Sequence, residues 1–190
     1  EGINYDFDRG MENYKLAAER GLAEAQLNLA QMYHYGPSSI QDHFEAYTWY
    51  KKSAKQGMHE ADFNLGLMAH YGRGTNKDYV QAMNHYMKAS LNSIPEADLN
   101  IAFLHHYGLG TSVNFDKSFE YFTKAAKNNY PQAQYHLGLL YKNGQSVKKD
   151  LDKANYWFEK AAIQNLDEAK LMTAALELRE PNDVELYVAN

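Results

Sequence analysis

Three residue types recur along this chain at a spacing that raises chemical questions. They are His34, His70 and His106; Asn28, Asn64 and Asn100; and Tyr35, Tyr71 and Tyr107, each set repeating every 36 residues. An imidazole can ligate a metal or move a proton. No pair of histidines here has the i,i+4 spacing of a helical metal site, and the adjacent His105 and His106 point apart. Members of the histidine ladder fall one helix pair apart, too far for one ion to span. That ladder reads either as a pH-sensitive aromatic rim or as half-exposed helix ends. The asparagine carboxamides both donate and accept, so they suit a peptide backbone of any sequence, at about 0.5–1.5 kcal/mol net for each bond. They equally suit ties between neighbouring repeats. The tyrosines are either contact residues for a partner, with hydroxyls free to bond, or packing over an inter-helix loop.

Catalytic signatures are missing. There is no G-x-S-x-G, no H-E-x-x-H, no P-loop and no dinucleotide-binding fingerprint. Gly72-Arg73-Gly74-Thr75 and Gly108-Leu109-Gly110-Thr111 look like phosphate loops in isolation. Their recurrence at the same 36-residue period marks them as structural turns. The expectation is a non-enzyme with no cofactor and no metal.

Composition narrows the partner. A net charge of −5 with no basic run argues against nucleic acid. Sixteen tyrosines, against 8 phenylalanines and 2 tryptophans, favour aromatic rings with one wet edge, as binding faces use. The chain has 0 cysteines, which excludes disulfides and thiolate metal sites. No apolar run reaches the roughly 18 residues of a membrane-spanning helix, so membrane insertion is not expected. The chain opens on Glu1-Gly2 rather than methionine, as after removal of an export signal or trimming of a longer chain.

The elements that must position these ladders follow from the register. Glu24-Ala25 recurs as Glu60-Ala61, Glu96-Ala97, Gln132-Ala133 and Glu168-Ala169 without insertion or deletion. Such a period marks a solenoid, in which each repeat buries its apolar face only against its neighbours. With that alanine as position 3, the repeats run 23–58, 59–94, 95–130 and 131–166, after a half repeat at 1–22 and before a partial repeat or cap at 167–190. The whole of 1–190 is read as one repeat domain. Each repeat contains two helices, A and B. On helix A, positions 3, 7 and 10 share one apolar face, and position 8 is always small: Ala30, Gly66, Ala102, Gly138 and Ala174. A mid-helix glycine costs about 1 kcal/mol relative to alanine, so Gly66 and Gly138 mark places where a methyl group would be crowded. Position 14 is Gly36, Gly72, Gly108 and Gly144, the expected left-handed stop of helix A. Helix B is expected to open on a polar cap at Asp6, Asp42, Asp78, Asn114 or Asp150, and Asp42/Glu45 and Asp78/Gln81 have capping-box spacing. Position 28 is aromatic: Tyr14, Tyr50, Tyr86, Phe122 and Phe158. It faces small pairs such as Ala17-Ala18 and Ala161-Ala162, the large-against-small complement of a helix stack. Lys52, Lys88, Lys124 and Lys160 near the ends of helix B read as solvated surface favoured by the helix dipole.

Together these residues resemble the Sel1-like repeat family, relatives of the tetratricopeptide repeats. The family pattern is close to A-E-A-x-x-N-L-G-x-x-Y-x-x-G-x-G, a short loop, D, and K-A-x-x-W-Y-x-K-A-A. It stands here as Ala23–Gly36 with Ala46, Trp49, Tyr50 and Lys52, as Glu60–Gly74 with Asp78 and Ala82, as Glu96–Gly110, and as Gln132–Gly144 with Asp150, Lys153-Ala154 and Trp157-Phe158. The resemblance implies an all-α, right-handed α-α superhelix that holds other proteins. Pro37-Ser38-Ser39 departs from the family loop, which should bend differently there. Arg179-Glu180-Pro181-Asn182 should break the last helix, with Asp183–Val188 as a short cap.

The family places helix A on the inner side of the superhelix. Carried residue by residue, this puts Glu24, Asn28, Gln31 and Tyr35 on a partner-binding stripe in the first repeat. The stripe continues as Glu60, Asn64, Leu67 and Tyr71, then as Glu96, Asn100, Phe103 and Tyr107. In the fourth repeat it becomes Gln132, His136, Leu139 and Asn143. His70 and His106 lie beside it. Leu67, Phe103 and Leu139 add an apolar strip suited to a helix or extended segment of another protein. More specific roles implied by exported bacterial relatives are an immunity protein neutralising a phospholipase-type toxin, or a periplasmic envelope or motor assembly factor. Such relatives imply a periplasmic or secreted location, with the cytoplasm as the alternative.

Overall fold

A computed structural model describes the backbone of residues 2–178 and the side chains of residues 9–176 and 178. The expected break at 179–182 and cap at 183–188 lie outside the described residues. The described chain is all-α, with ten helices and no strand: α1 Gly2–Glu19, α2 Ala23–Tyr35, α3 His43–Lys55, α4 His59–Tyr71, α5 Tyr79–Leu91, α6 Pro95–Tyr107, α7 Phe115–Lys127, α8 Pro131–Asn143, α9 Leu151–Ile163 and α10 Asp167–Glu177. Even-numbered helices are of type A and odd-numbered ones of type B. The residues group into two compact units, Glu1–Val113 and Asn114–Asn190. Within each unit every helix packs on its chain neighbours.

The repeat register is a packing register. In the first unit Tyr50 and Tyr86 are completely buried, and in the second Phe122 and Phe158 are. A Cβ placed on Gly66 would stand 2.6 Å from the Tyr86 ring, and one on Gly138 would stand 2.6 Å from the Phe158 ring. The helix-A glycine is therefore the socket for the helix-B aromatic of the same repeat; the crowding at Gly66 and Gly138 was expected, and the structure supplies the ring that causes it.

Type-B helices are capped by side chains. Asp42 Oδ1 accepts from the amides of Phe44 and Glu45, Asp78 Oδ1 from Gln81, Asn114 Oδ1 from Lys117 and Asp150 Oδ1 from Lys153. The reciprocal half of the capping box is not made. The Asp42 and Asp78 amides donate instead to the carbonyls of Tyr33 and Ala69, at 2.9 and 2.8 Å, and so close the loop from helix A. Glu45 is left to accept from Trp49 Nε1 at 3.1 Å. Asp6 is not a cap, because α1 begins at Gly2 and carries Asp6 in its second turn.

Gly72, Gly108 and Gly144 adopt the left-handed stop at φ of 67–70°. Gly36 does not: its φ of −68° and ψ of 177° are extended. The following Pro37 excludes helical geometry from the residue before it, and the chain turns over Pro37–Gln41 instead. Glycine is still required at Gly36, since a Cβ would strike the Met32 carbonyl and the Ile40 side chain. Gly74 likewise lets its loop rest on the backbone at His43, the start of the preceding repeat's α3.

The ends of the B helices hold a device that the register analysis did not single out. Gly21, Gly57, Ser93, Asn129 and Asn165 all have positive φ. After each, the next amide reaches back five residues, as in Met58 N–H to Ser53 O and Ile94 N–H to Ala89 O at 3.3 and 3.1 Å. This left-handed closure turns the chain directly into the next A helix, which has no side-chain cap at its own start.

Candidate functional site

The stripe on the A helices of the first unit is built from the inside outwards. Ala25, Leu29, Ala61 and Leu65 face the core. One helical step round from them, Gln31 and Tyr35 of α2 meet Glu60 and Asn64 of α4. Gln31 Nε2 donates to Glu60 Oε1 at 2.7 Å, and the Tyr35 hydroxyl donates to Asn64 Oδ1 at 3.0 Å. Both are clasps between adjacent repeats. Partial burial of the Tyr35 hydroxyl raises its pKa, with Arg73 pulling the other way and Glu60 adding to the rise.

The asparagine ladder divides. Asn64 is only 5% exposed; besides accepting from Tyr35 it donates its Nδ2 to the Glu60 carbonyl at 2.9 Å. Its capacity is taken up by the fold. Asn100 Nδ2 donates in the same way to the Glu96 carbonyl at 2.9 Å, and its side chain is half-buried. Asn28 is half-buried too and lines two open hollows beside α2. In the second unit, position 6 is His136, stacked on the Phe122 ring with centroids 5.1 Å apart and planes 6° apart.

In the histidine ladder His34 alone is buried, while His70 and His106 are half-buried, as helix ends are expected to be. His34 is 2% exposed. It stacks on Tyr35 at 4.1 Å and meets His43 edge-on at 5.3 Å. Burial, with smaller contributions from His43 and Arg73, holds its pKa down at about 4. His70 sits between Tyr71, Tyr79 and Tyr86, and burial lowers its pKa as well. The pKa of His106 is lowered by burial, and its ring lies 4.8 Å from Tyr107. The His34 imidazole is thus kept neutral down to acidic pH, and its place is inside the repeat. No group of three or more His, Asp or Glu side chains among the described residues is arranged to hold a metal.

The tyrosine ladder keeps its rings in solvent. Tyr35, Tyr71 and Tyr107 are all more than half exposed. Tyr71 lies under Arg73, and Tyr107 lies parallel to Phe103 at 6.0 Å. Leu67, Phe103 and Leu139 are half-buried.

A hollow of about 400 Å³ opens where Tyr35 and Gln31 of α2 face Glu60, Phe63 and Asn64 of α4, with Ile94 and Glu96 beyond. Two carboxylates and no cation line it. Phe63 was not anticipated, because position 5 varies in residue type between Leu27, Phe63, Leu99 and Tyr135. Also unanticipated is a buried polar row at position 4. Gln26 donates to the Ala18 carbonyl and accepts from Gln56 at 2.8 Å, and Gln134 and Gln164 repeat this pairing in the second unit. Asp62 takes His85 Nδ1 at 2.9 Å, and Asp98 accepts from Ser90 at 2.6 Å. These bonds satisfy groups whose burial would otherwise be costly. The matched Gln spacing was the available signal.

A family model described as Sel1 repeat matches residues 1–22, 23–58, 59–93, 95–130 and 131–166. No curated protein matches the chain by sequence. Among solved structures, the chain is similar to a protective antigen of uropathogenic Escherichia coli displaying an SLR fold. That likeness has 34% identity and a TM-score of 0.79, covering 84% of this chain and 34% of the other. A Sel1 repeat protein from Oxalobacter formigenes is 32% identical with a TM-score of 0.78, over 90% of this chain and 50% of that one. An immunity protein from Pseudomonas aeruginosa is 26% identical with a TM-score of 0.54, over 87% of this chain and 60% of that one. The chain therefore spans about a third and a half of the lengths of the first two proteins.

Proposed function

This chain belongs to the Sel1 repeat family, a fold that commonly mediates protein–protein interaction, and from that premise we propose that it is a non-catalytic scaffold whose A-helix face takes up a segment of another protein. The observation that carries the reading is the hollow between Tyr35, Phe63 and the two carboxylates Glu60 and Glu96. Aromatic walls favour an apolar or aliphatic stem, and carboxylates without a lining cation favour a segment bearing lysine or arginine. The contact set shifts accordingly towards Asn28, Gln31, Tyr35 and Phe63. Tyr71, Asn100, Leu67, Phe103, Tyr107, His70 and His106 extend or support the face in the first unit, and His136 and Leu139 in the second. Asn64 holds Tyr35 in place.

The test is photocrosslinking in extracts of the source organism. A photoreactive residue at Gln31 should give discrete protein adducts that Glu60→Lys/Glu96→Lys abolishes. The same residue at Lys51, an exposed position on α3, should give none. Equal labelling from both positions, or none from Gln31, overturns the proposal.

A second reading rests on the likeness to the Pseudomonas aeruginosa immunity protein: neutralisation of a secreted phospholipase-type toxin, with export as part of the proposal. It expects an equimolar complex in which toxin activity on lipid vesicles is lost. Full activity in the presence of excess chain rules it out. No helix among the described residues is long and apolar enough to cross a membrane.

A further inference from the structure

The solvent faces of the B helices differ between the two units at the same register positions. At position 22 the first unit has Phe44 on α3 and Val80 on α5, where the second unit has Asp116 on α7 and Asp152 on α9. At positions 29, 30 and 33 the first unit has Lys51, Lys52 and Lys55 on α3, and Met87, Lys88 and Leu91 on α5. All of these side chains in the first unit are exposed, and none is a carboxylate. The second unit carries Glu120 and Glu159 on the corresponding faces, and Glu120 pairs with Lys124 at 2.7 Å. The first unit's face therefore keeps its cations and exchanges its acids for apolar tips.

Those tips stand well out in water: Phe44 is 69% exposed, Val80 54% and Leu91 83%. Phe44, Lys51 and Lys55 share one stripe of α3, at spacings of 7 and 4 residues. A hollow of about 290 Å³ lies along that helix between Phe44, Tyr47, Thr48 and the three lysines. The lysine charges are not neutralised by the fold. Among the described residues no carboxylate pairs with Lys51, Lys52, Lys55 or Lys88, and Lys51 and Lys52 lie over the rings of Tyr47 and Trp49 instead. The acids at the start of α3 are engaged elsewhere, Asp42 as the helix cap and Glu45 with Trp49 Nε1.

We propose that this face of α3 and α5 docks peripherally on an anionic phospholipid bilayer, with Phe44 and its apolar neighbours entering the headgroup boundary and the lysines meeting lipid phosphates. Lysines beside exposed aromatic and aliphatic tips are the chemistry of helices that lie in a membrane interface. An anionic surface attracts such cations over about a Debye length. The chain as a whole carries a net charge of −5, so the attraction has to come from this segregated patch, which also fixes the orientation of docking. An acidic protein segment would meet the same charges. The apolar tips, however, stand along both helices rather than walling one deep groove, which suits a broad surface better than a single chain. The docking is superficial and independent of the hollow proposed for a protein segment. A lipid partner leaves Lys51 without protein adducts.

Co-sedimentation of the whole chain with lipid vesicles tests this. Wild type should bind vesicles of equal parts phosphatidylglycerol and phosphatidylcholine, leave pure phosphatidylcholine vesicles alone, and be released by high salt. Lys51→Glu/Lys55→Glu changes two exposed side chains and should weaken binding by about a hundredfold. Phe44→Ser leaves the charge unchanged and should weaken it several-fold. Lys117→Glu/Lys127→Glu makes the same charge change at exposed positions of α7 and should leave binding close to wild type. Far-ultraviolet circular dichroism should be the same for all of them. A wild type that binds neither kind of vesicle or binds both equally overturns the proposal. So does unchanged binding by either α3 variant, or an equal loss through the α7 variant. Retention of wild type on immobilised poly-glutamate without binding to vesicles would assign the face to an acidic protein and also overturns it.

Discussion

Gly66 and Gly10 are both helical glycines, yet their surroundings give them opposite roles. At Gly66 a methyl group would have to occupy space held by the Tyr86 ring at 2.6 Å. Overpacking a core costs about 1–3 kcal/mol, which outweighs the roughly 1 kcal/mol gained by removing a mid-helix glycine. Gly66→Ala is expected to lower stability by up to about 2 kcal/mol in urea denaturation, whereas Gly10→Ala, whose Cβ meets nothing within 4 Å, should raise it by about 0.5–1 kcal/mol. His34 supplies a second residue-scale expectation. Unfolded, its imidazole takes up a proton near pH 6.5; folded, burial delays this to about pH 4. Between those values the unfolded chain binds more protons, so stability rises with pH. The contribution is complete above pH 6.5 and lost as pH falls towards 4. In His34→Gln the urea midpoint should vary less over that window than in wild type. The histidine positions were legible in the sequence. The depth of His34 was not, because its burial depends on Tyr35, His43 and Tyr50 closing round the ring.

At the scale of elements, the two helix-to-helix turns solve one problem by different means. From A to B, the Asp42, Asp78 and Asp150 amides return to helix A while their carboxylates open helix B. The Asp, Asn and Gly that do this recur as residue types and could be read directly. From B to A, a left-handed residue closes the helix, but Gly, Ser and Asn share that position, so no single type flags it. Their common tolerance of positive φ was the signal. Ser93 bears a side chain in that geometry, at φ 65°, where an L-residue costs about 1–2 kcal/mol relative to glycine. Ser93→Gly is therefore expected to stabilise the chain by about 1 kcal/mol, seen as a higher thermal midpoint with an unchanged far-ultraviolet spectrum. An unchanged or lower midpoint would remove the assigned strain. Pro37 shows the reverse case, in which a visible departure from the repeat predicted a different bend and the structure supplied its form.

Within each unit, helix contacts run between sequence neighbours, and in a repeat array stability is close to a sum of local terms and nearest-neighbour interfaces. A cavity in one repeat should loosen its own unit first. Phe158→Ala removes a fully buried ring and is expected to cost about 3–5 kcal/mol. Hydrogen exchange should accelerate in α8, α9 and α10 while α4 and α5 keep their protection. Uniform acceleration along the chain would show cooperativity beyond nearest neighbours.

The sequence alone determined the period, the pairing of helices and the crowding at Gly66 and Gly138. Each of these rests on local rules that repeat at fixed register: helical periodicity, cap chemistry and size complementarity. Tertiary structure decided which members of the ladders remain available. Asn64 and Asn28 occupy the same repeat position, but one is held by Tyr35 and its own helix while the other lines open hollows. It also decided that Tyr14, identical in register to the buried Tyr50, lines an open hollow. Exposure and hydrogen-bond capacity depend on what neighbouring repeats place against a side chain, and a periodic pattern is the same whether or not those neighbours are there.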